Sequence, residues 1–448
     1  MFLRKRGERG LIHEPTQPEA PAPDEASGAD ALKRAVHARL LEEADAGDFR
    51  HDMPLPEAEA LLRRVIGEVA HLHGELLGVV RLGQLVQELL DEIRGLGPLE
   101  ALMKDPAVTE IMVNSPQQVF IEREGRLTLT GVRFEGEHHL LRIIDRIVSR
   151  VGRHVDESSP MVDARLPDGS RVNAIIPPLA LNGPCLTIRR FGRRLTLADL
   201  LARETLGEAM ALFLQRAVEG KLNMLVSGGT GSGKTTLLNV LSAFIPAHER
   251  LVTIEDAAEL QLQQPHVIRL ETRQANTEGQ GGIGQAELLR NTLRMRPDRI
   301  IVGEVRGGEA LTMLQAMNTG HEGSLTTVHA NTCRDALSRL ETMVLMAGMD
   351  LPLRAIREQV ASAIELIVQV ERGADGRRRV MQVSELVGLE GDTYLTQDLF
   401  AFHVDGRTPE GMLLGHHAPT GLVPRCLGRL EARGLGLPPQ YFQDARAC

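Results

Sequence analysis

"LVSGGTGSGKTTLLN", residues 225–239, runs from an apolar stretch through a cluster of glycines to a lysine, two threonines and leucines. Gly228 to Thr235 fits the spacing G-x-x-x-x-G-K-[ST]. The strand-like "LNMLVS" precedes it, and a helix-like run with Leu237, Leu238, Leu241, Phe244 and Ile245 follows. Glycines let successive main-chain N–H groups curl inward, and a helix starting near Lys234 adds its positive dipole end, so a polyphosphate can replace water there. The pattern predicts a nucleotide cradle made by Gly228, Gly229, Thr230, Gly231, Ser232, Gly233, Lys234, Thr235 and Thr236. Lys234 is expected on the β- and γ-phosphates of the nucleotide and Thr235 on Mg²⁺. The plainer reading, a glycine-rich connection with a surface lysine, leaves the flanking strand and helix unexplained.

Hydrolysis needs a carboxylate at a neighbouring strand end. "RPDRIIVGEVRGGEA" offers Glu304 directly after the strand Ile300 to Val302 and Gly303, where an aspartate is common. Glu304 is assigned to the metal and water side of the site. "LVTIEDAAEL" delivers Glu255 and Asp256 at another strand end, and Glu255 is the candidate for positioning the attacking water. Asp256 and Glu259 read equally well as helix-capping acids. "NTGHEGSLTTVHANT" adds His321 and His329; a lone histidine is more often structural, and no Cys or H-x-x-x-H partner supports zinc.

From Leu197 to about Val370, strand-like runs alternate with helical ones, which predicts a parallel or mixed sheet with helices on both faces and a site at the strands' carboxyl ends. A β-rich extension, 371–448, opens with an expected hairpin at Asp375-Gly376. Upstream, residues 97–191 alternate short strand patterns with one amphipathic helix, an α+β domain, and 192–196 reads as a linker. Residues 31–96 repeat apolar side chains at three and four spacing, a helical bundle. Residues 1–30, with four prolines in "EPTQPEAPAPDEASGAD", read as a disordered tether.

The whole chain has 448 residues, enough for two or three cores. With 42% apolar and 25% charged residues and no membrane-length apolar run, the composition is that of a soluble protein, expected in the cytoplasm. Its start has no signal-peptide core, and its four scattered cysteines fit neither a zinc site nor a disulfide framework. A net charge of −9, no tryptophan and two tyrosines argue against a nucleic-acid partner.

Together, "LVSGGTGSGKTT", "TIEDAAEL", "RPDRIIVGEVRGGEALTMLQAMNTGHEGS" and "TTVHANT" resemble the ATPase superfamily of type II secretion, type IV pili and type IV secretion. The wording is most similar to the CpaF family of tight-adherence (Flp) pilus assembly, and "PMVDARLPDGSRVNAIIPP" and "GPCLTIRRF" look like that family's N-terminal domain. The resemblance runs from about Leu96 to Leu386 and continues more weakly in "TQDLFAFHVDGRTPEG".

It implies a RecA-like ATPase core behind a mobile N-terminal domain, a homo-oligomer in the form of a hexameric ring, and an inner-membrane platform protein as partner. The chain itself would not cross the membrane but attach peripherally through the pilus machine. Glu255 would belong to the Asp box, Glu304 to an atypical Walker B, and His321 and His329 to a His box sensing the γ-phosphate. Arginine fingers would come from the N-terminal domain or a neighbouring subunit; Arg165, Arg171, Arg189, Arg190 and Arg306 are the candidates by position. Cys333 stands where a proline is expected at the start of a helix. The glycine-rich "TEGQGGIG", residues 277–284, reads as a mobile loop.

The resulting expectation is an ATP-hydrolysing motor for pilus assembly, with retraction open. Type IV secretion, for conjugation or effector export, is the alternative within the superfamily. A RecA-like nucleic-acid motor, a nucleotide-gated scaffold and a small-molecule P-loop kinase are rivals from other classes.

Overall fold

A computed structural model of the chain describes residues 53–443 apart from 75–76, 124, 191–193, 274–279 and 410, together with Leu32, Ala35, Val36 and Arg39. The expected tether, most of the linker's first half and part of the 277–284 loop lie outside the described residues. The chain forms two compact units: residues up to Leu166 with Arg171–Arg189, and Pro167–Ser170 with Arg190 onward.

In the first unit, helices Leu55–Leu72 and Val79–Arg94 bury Leu62, Val65, Ile66, Leu85 and Leu89 against each other and Leu32. Their three-and-four spacing gathers these side chains into one stripe per helix. Strands β1 (Val108–Ser115), β2 (Gln118–Arg123), β3 (Arg126–Leu129), β4 (Met161–Arg165), β5 (Arg171–Ile175) and β6 (Cys185–Arg189) make an antiparallel sheet in the order β3-β2-β1-β6-β5-β4. Ile111, Val113, Val119, Ile121, Leu186 and Ile188 share its buried face. Helix Glu137–Ser149 covers that face with Leu140, Ile143, Ile144 and Ile147.

The second unit is built on strands β7 (Met224–Gly228), β8 (Leu251–Glu255), β9 (Val267–Glu271), β10 (Arg299–Val302), β11 (Leu325–Val328), β12 (Leu366–Arg372), β13 (Arg378–Glu390), β14 (Thr393–Arg407) and β15 (Leu413–Pro419). They form one sheet in the order β15-β14-β13-β12-β7-β11-β10-β8-β9. From β12 across to β9 the neighbours are parallel, and from β12 to β15 they are antiparallel.

Strands β7, β8, β10 and β11 are buried along their whole length, as parallel strands covered on both faces must be. Met224, Val226, Leu325 and Val368 meet helices Glu208–Glu219 and Lys234–Ser242 on one face. On the other, Leu225, Val252, Ile254, Ile300 and Val302 meet helices Gln285–Thr292, Glu309–Asn318, Cys333–Met346 and Leu353–Ala363. This is the expected RecA-like core, with β11 standing between β7 and the acid-bearing β10.

The C-terminal strands extend the core sheet instead of forming a layer of their own. Strand β12 would otherwise be an open edge beside β7, and β13 closes it. Phe400 of β14 and Phe442 pack on Phe213, with ring centroids 5.5 and 5.7 Å away. At the start of helix Cys333–Met346, Thr332 accepts the Asp335 N–H at 3.0 Å, supplying the cap that a proline would not. Cys333 itself is buried, accepts from Ser384 Oγ at 3.4 Å, and has its thiol pushed up to about 11 by burial, which makes it inert.

Candidate active site

The phosphate loop is shaped by its neighbours on the sheet. Strand β12 runs parallel to β7 with Val370 beside Gly228, so a Cβ on Gly228 would collide with the Val370 carbonyl and with Ser232 Oγ. Gly233 takes φ 99°, a left-handed conformation that glycine adopts without penalty, and helix Lys234–Ser242 starts immediately after it. Its N-terminal amides, which have no carbonyl within the helix to bind, therefore face the loop.

Lys234 is 7% exposed, and its ammonium donates to the carbonyls of Gly228 and Gly229, each at 3.0 Å, and to His329 Nε2 at 3.1 Å. The cation is held inside the cradle by its own loop, close to where a phosphate would be seated.

His329 directly follows β11, and Glu304 follows β10 by one residue, so the strand order makes them neighbours. His329 Nε2 lies 3.1 Å from Glu304 Oε1 as well as from Lys234. Glu304 Oε2 accepts from Arg306 at 2.8 Å, and Arg306 reaches within 3.8 Å of Asp256 Oδ2. A chain of alternating charge and imidazole thus crosses the carboxyl ends of β7, β11, β10 and β8. Burial holds the His329 imidazole below its ordinary range, Glu304 pulls it back, and Lys234, Arg306 and Arg339 push it further down. Neutral imidazole is therefore favoured, but its Nε2 cannot accept from Lys234 and donate to Glu304 at once.

Glu255 ends β8 and is 3% exposed. Its Oε2 accepts the amides of Glu259 at 2.6 Å and Leu260 at 2.8 Å, while Oε1 is buried with no hydrogen-bond partner among the described residues. Burial raises its pKa, opposed by those two amides. The side chain packs over Gly303, where a Cβ would come within 2.9 Å of Glu255 Cγ. That approach accounts for glycine where the sequence comparison anticipates aspartate.

The groups gathered here suit a nucleotide with a hard divalent cation. The donors are oxygens only (the Thr235 hydroxyl and the two carboxylates), and one buried carboxylate oxygen lacks a protein partner. Arg306 and His329 also border a cleft of about 450 Å³ lined by Asn331, Asp335, Arg339 and Met346.

His321 precedes β11 where His329 follows it, and the four-residue strand, about 13 Å long, runs between them. The structure brings only His329 to the cradle; His321 sits in the turn at the opposite strand end, its carbonyl accepting from Ser324 Oγ at 2.7 Å. In the first unit, Arg165 pairs across from Arg171, and Arg171 across from Arg189, with Glu110 on the far side of Arg189. Directly opposed residues share a face of an antiparallel pair, so these arginines form one row. Arg190 follows that row as the first residue of the main stretch of the second unit.

One group at the loop comes from the C-terminal extension: Arg378 Nε donates to the Gly231 carbonyl at 2.9 Å. Its signal in the sequence is the run Arg377, Arg378, Arg379 after the Asp375-Gly376 turn.

The family described as Type II/IV secretion system protein matches residues 92–389. The chain is similar to the conjugal transfer protein TrbB of Rhizobium radiobacter, 37% identical over 320 residues, covering 70% of this chain and 94% of that one. It is also similar to the type IV secretion system protein VirB11 of Brucella suis biovar 1 (strain 1330), 36% identical over 315 residues, covering 63% and 87%. Among solved structures, the VirB11 ATPase from the Brucella suis type IV secretion system in complex with sulphate aligns with a TM-score of 0.35 and 33% identity, covering 64% of this chain and 94% of that one.

Proposed function

The chain belongs to the Type II/IV secretion system protein family and is an ATPase; from that premise we propose that it is the ring motor of a type IV secretion or conjugal transfer apparatus. The observation that carries the chemistry is the contact of Lys234, His329 and Glu304 at three adjacent strand ends. The names of the relatives favour the export apparatus. Assembly of a tight-adherence pilus is the second reading, favoured by the likeness of the boxes and of residues 160–178 to the CpaF family.

In this proposal Lys234 would leave its loop carbonyls for the γ-phosphate of ATP, Thr235 and Glu304 would hold Mg²⁺, and Glu255 would orient the attacking water. The cation would neutralise developing phosphate charge. His329, released from Lys234, turns its Nε2 hydrogen to Glu304, so that the presence of the terminal phosphate is registered at β10 and β11. Arg165, Arg171, Arg189, Arg190 and Arg306 are the candidates to close on the nucleotide, within one subunit or from the next in a hexamer. Loss of the terminal phosphate would free the N-terminal unit to move and push on a membrane platform protein. Among the described residues no helix is long and apolar enough to cross a membrane.

The test is to place Glu304→Gln in the producing cell and score conjugal transfer, protein export and surface pilin side by side. Loss of transfer or export with pilin intact supports the first reading. Loss of surface pilin alone supports the second.

A further inference from the structure

The antiparallel pair β12–β13 sets Arg372 directly opposite Arg378 at the end nearest the phosphate loop. Both side chains come to the loop's bend. Arg378 donates to the Gly231 carbonyl, its Cδ would be 3.2 Å from a Cβ on Gly233, and the Arg372 guanidinium would be 3.8 Å from a Cβ on Gly231. Both guanidinium groups therefore stand beside main-chain amides already arranged for an anion.

The hairpin that carries them is stiff. Asp375 accepts from Arg379 at 2.8 Å in a pair whose side chains are 4% and 0% exposed, and it also accepts the Arg377 and Leu413 amides. The Gly373 N–H closes the turn on the Arg377 carbonyl at 2.8 Å, and Arg377 pairs with Glu204 at 2.9 Å. Of the three consecutive arginines, the outer two tie the hairpin down and the middle one is presented to the loop.

We propose that Arg372 and Arg378 form a phosphate clamp supplied by the C-terminal hairpin of the same chain, taking the di- or triphosphate of the nucleotide on the side of the loop away from Glu304 and His329. A planar guanidinium can engage phosphate oxygens through two parallel hydrogen bonds, which suits it to this task better than an ammonium. This inference rests on the reading of Gly228 to Thr236 as the phosphate cradle, and its test separates the two.

Equilibrium binding of a fluorescent ADP analogue is measured for the full chain, for Lys234→Ala, for the double variant Arg372→Gln with Arg378→Gln, and for Arg378→Lys and Arg378→Gln alone. The expected result is a loss of affinity of at least about tenfold in the double variant, a shallower dependence on salt, and a folded protein without nucleotide, because both arginines are exposed. Arg378→Lys should recover a good part of what Arg378→Gln loses, since it keeps the charge. Affinity within about twofold of the parent in the double variant, with Lys234→Ala defective, overturns the clamp and leaves the cradle standing. A lysine variant as weak as the glutamine one also overturns it, because Arg378 would then only support the Gly231 carbonyl. Should Lys234→Ala bind like the parent, the cradle reading itself fails and the clamp with it. If the double variant does not fold, the single Arg378 pair decides alone.

Discussion

His329 Nε2 stands 3.1 Å from Lys234 Nζ and, by the same atom, 3.1 Å from Glu304 Oε1. One ring nitrogen faces a donor and an acceptor together, and its hydrogen can satisfy only one arrangement. Withdrawal of Lys234 toward a phosphate would resolve the conflict in favour of Glu304. For this reason Glu304→Gln should retain ADP binding within about threefold while phosphate release falls by about 10² to 10³. Steady-state phosphate release and fluorescent-nucleotide binding check it; normal turnover would remove Glu304 from the chemistry.

The two histidines should separate cleanly. His329→Ala is expected to lower turnover about 10²-fold, whereas His321→Ala, on the far side of β11, should stay within about threefold of the parent. Equal losses in both would show that the turn before β11 takes part after all.

Gly303→Asp supplies the acid usual at that position, yet it should reduce both stability and turnover. Its Cβ would meet Glu255 Cγ at 2.9 Å and drive that carboxylate from its place. Overpacking of this kind costs about 1–3 kcal/mol, readable as a shift in the urea midpoint. An unchanged midpoint would mean that Glu255 can move aside freely.

Acid should loosen the C-terminal sheet before neutral pH does. Burial lowers His417 from 6.5 to about 4, against the pull of its hydrogen bond to the Val380 carbonyl at 3.0 Å. Its folded value lies below the unfolded one, so the unfolded chain takes the proton first. The contribution is complete above pH 6.5 and fades as pH falls toward 4, by about 2 kcal/mol after allowance for partial exposure. Unfolding free energies at pH 7.5 and 5, compared with those of His417→Gln, should show a smaller pH effect in the variant.

Asp375→Ala should cost about 3 kcal/mol, since it leaves Arg379 buried without its carboxylate. The Arg379 pair holds the Asp375 carboxyl down at about 2, so this anchor persists through mildly acidic conditions and is lost only as pH falls through that value. Thermal unfolding of the variant, with and without nucleotide, measures the loss.

The parts of this architecture that were legible in the sequence are those whose determinants are local. Gly228 to Thr235 shows the phosphate loop because the motif, its strand and its helix are contiguous, and the alternation from Leu197 to Val370 shows the covered parallel sheet. His321 and His329 are close in sequence, yet a strand runs between them, and rise along a strand converts a few residues into opposite ends of the sheet. The place of Gly303 depends on Glu255, which arrives on a different strand. Arg378 reaches Gly231 only because β12 pairs with β7, a long-range pairing that no periodicity reveals. The narrower pilus resemblance rested on box wording, whereas the relatives that span most of the chain are named for conjugal transfer and type IV secretion.

Because β7 acquires its second neighbour only from residues 366–372, the pocket for ATP cannot be finished while those residues are still inside the ribosome. A nascent chain that has long since exposed its glycine loop remains without one wall of that pocket. The glycine loop is thus made early and walled late: its surroundings wait on residues 366–372, which lie far downstream of it in the chain.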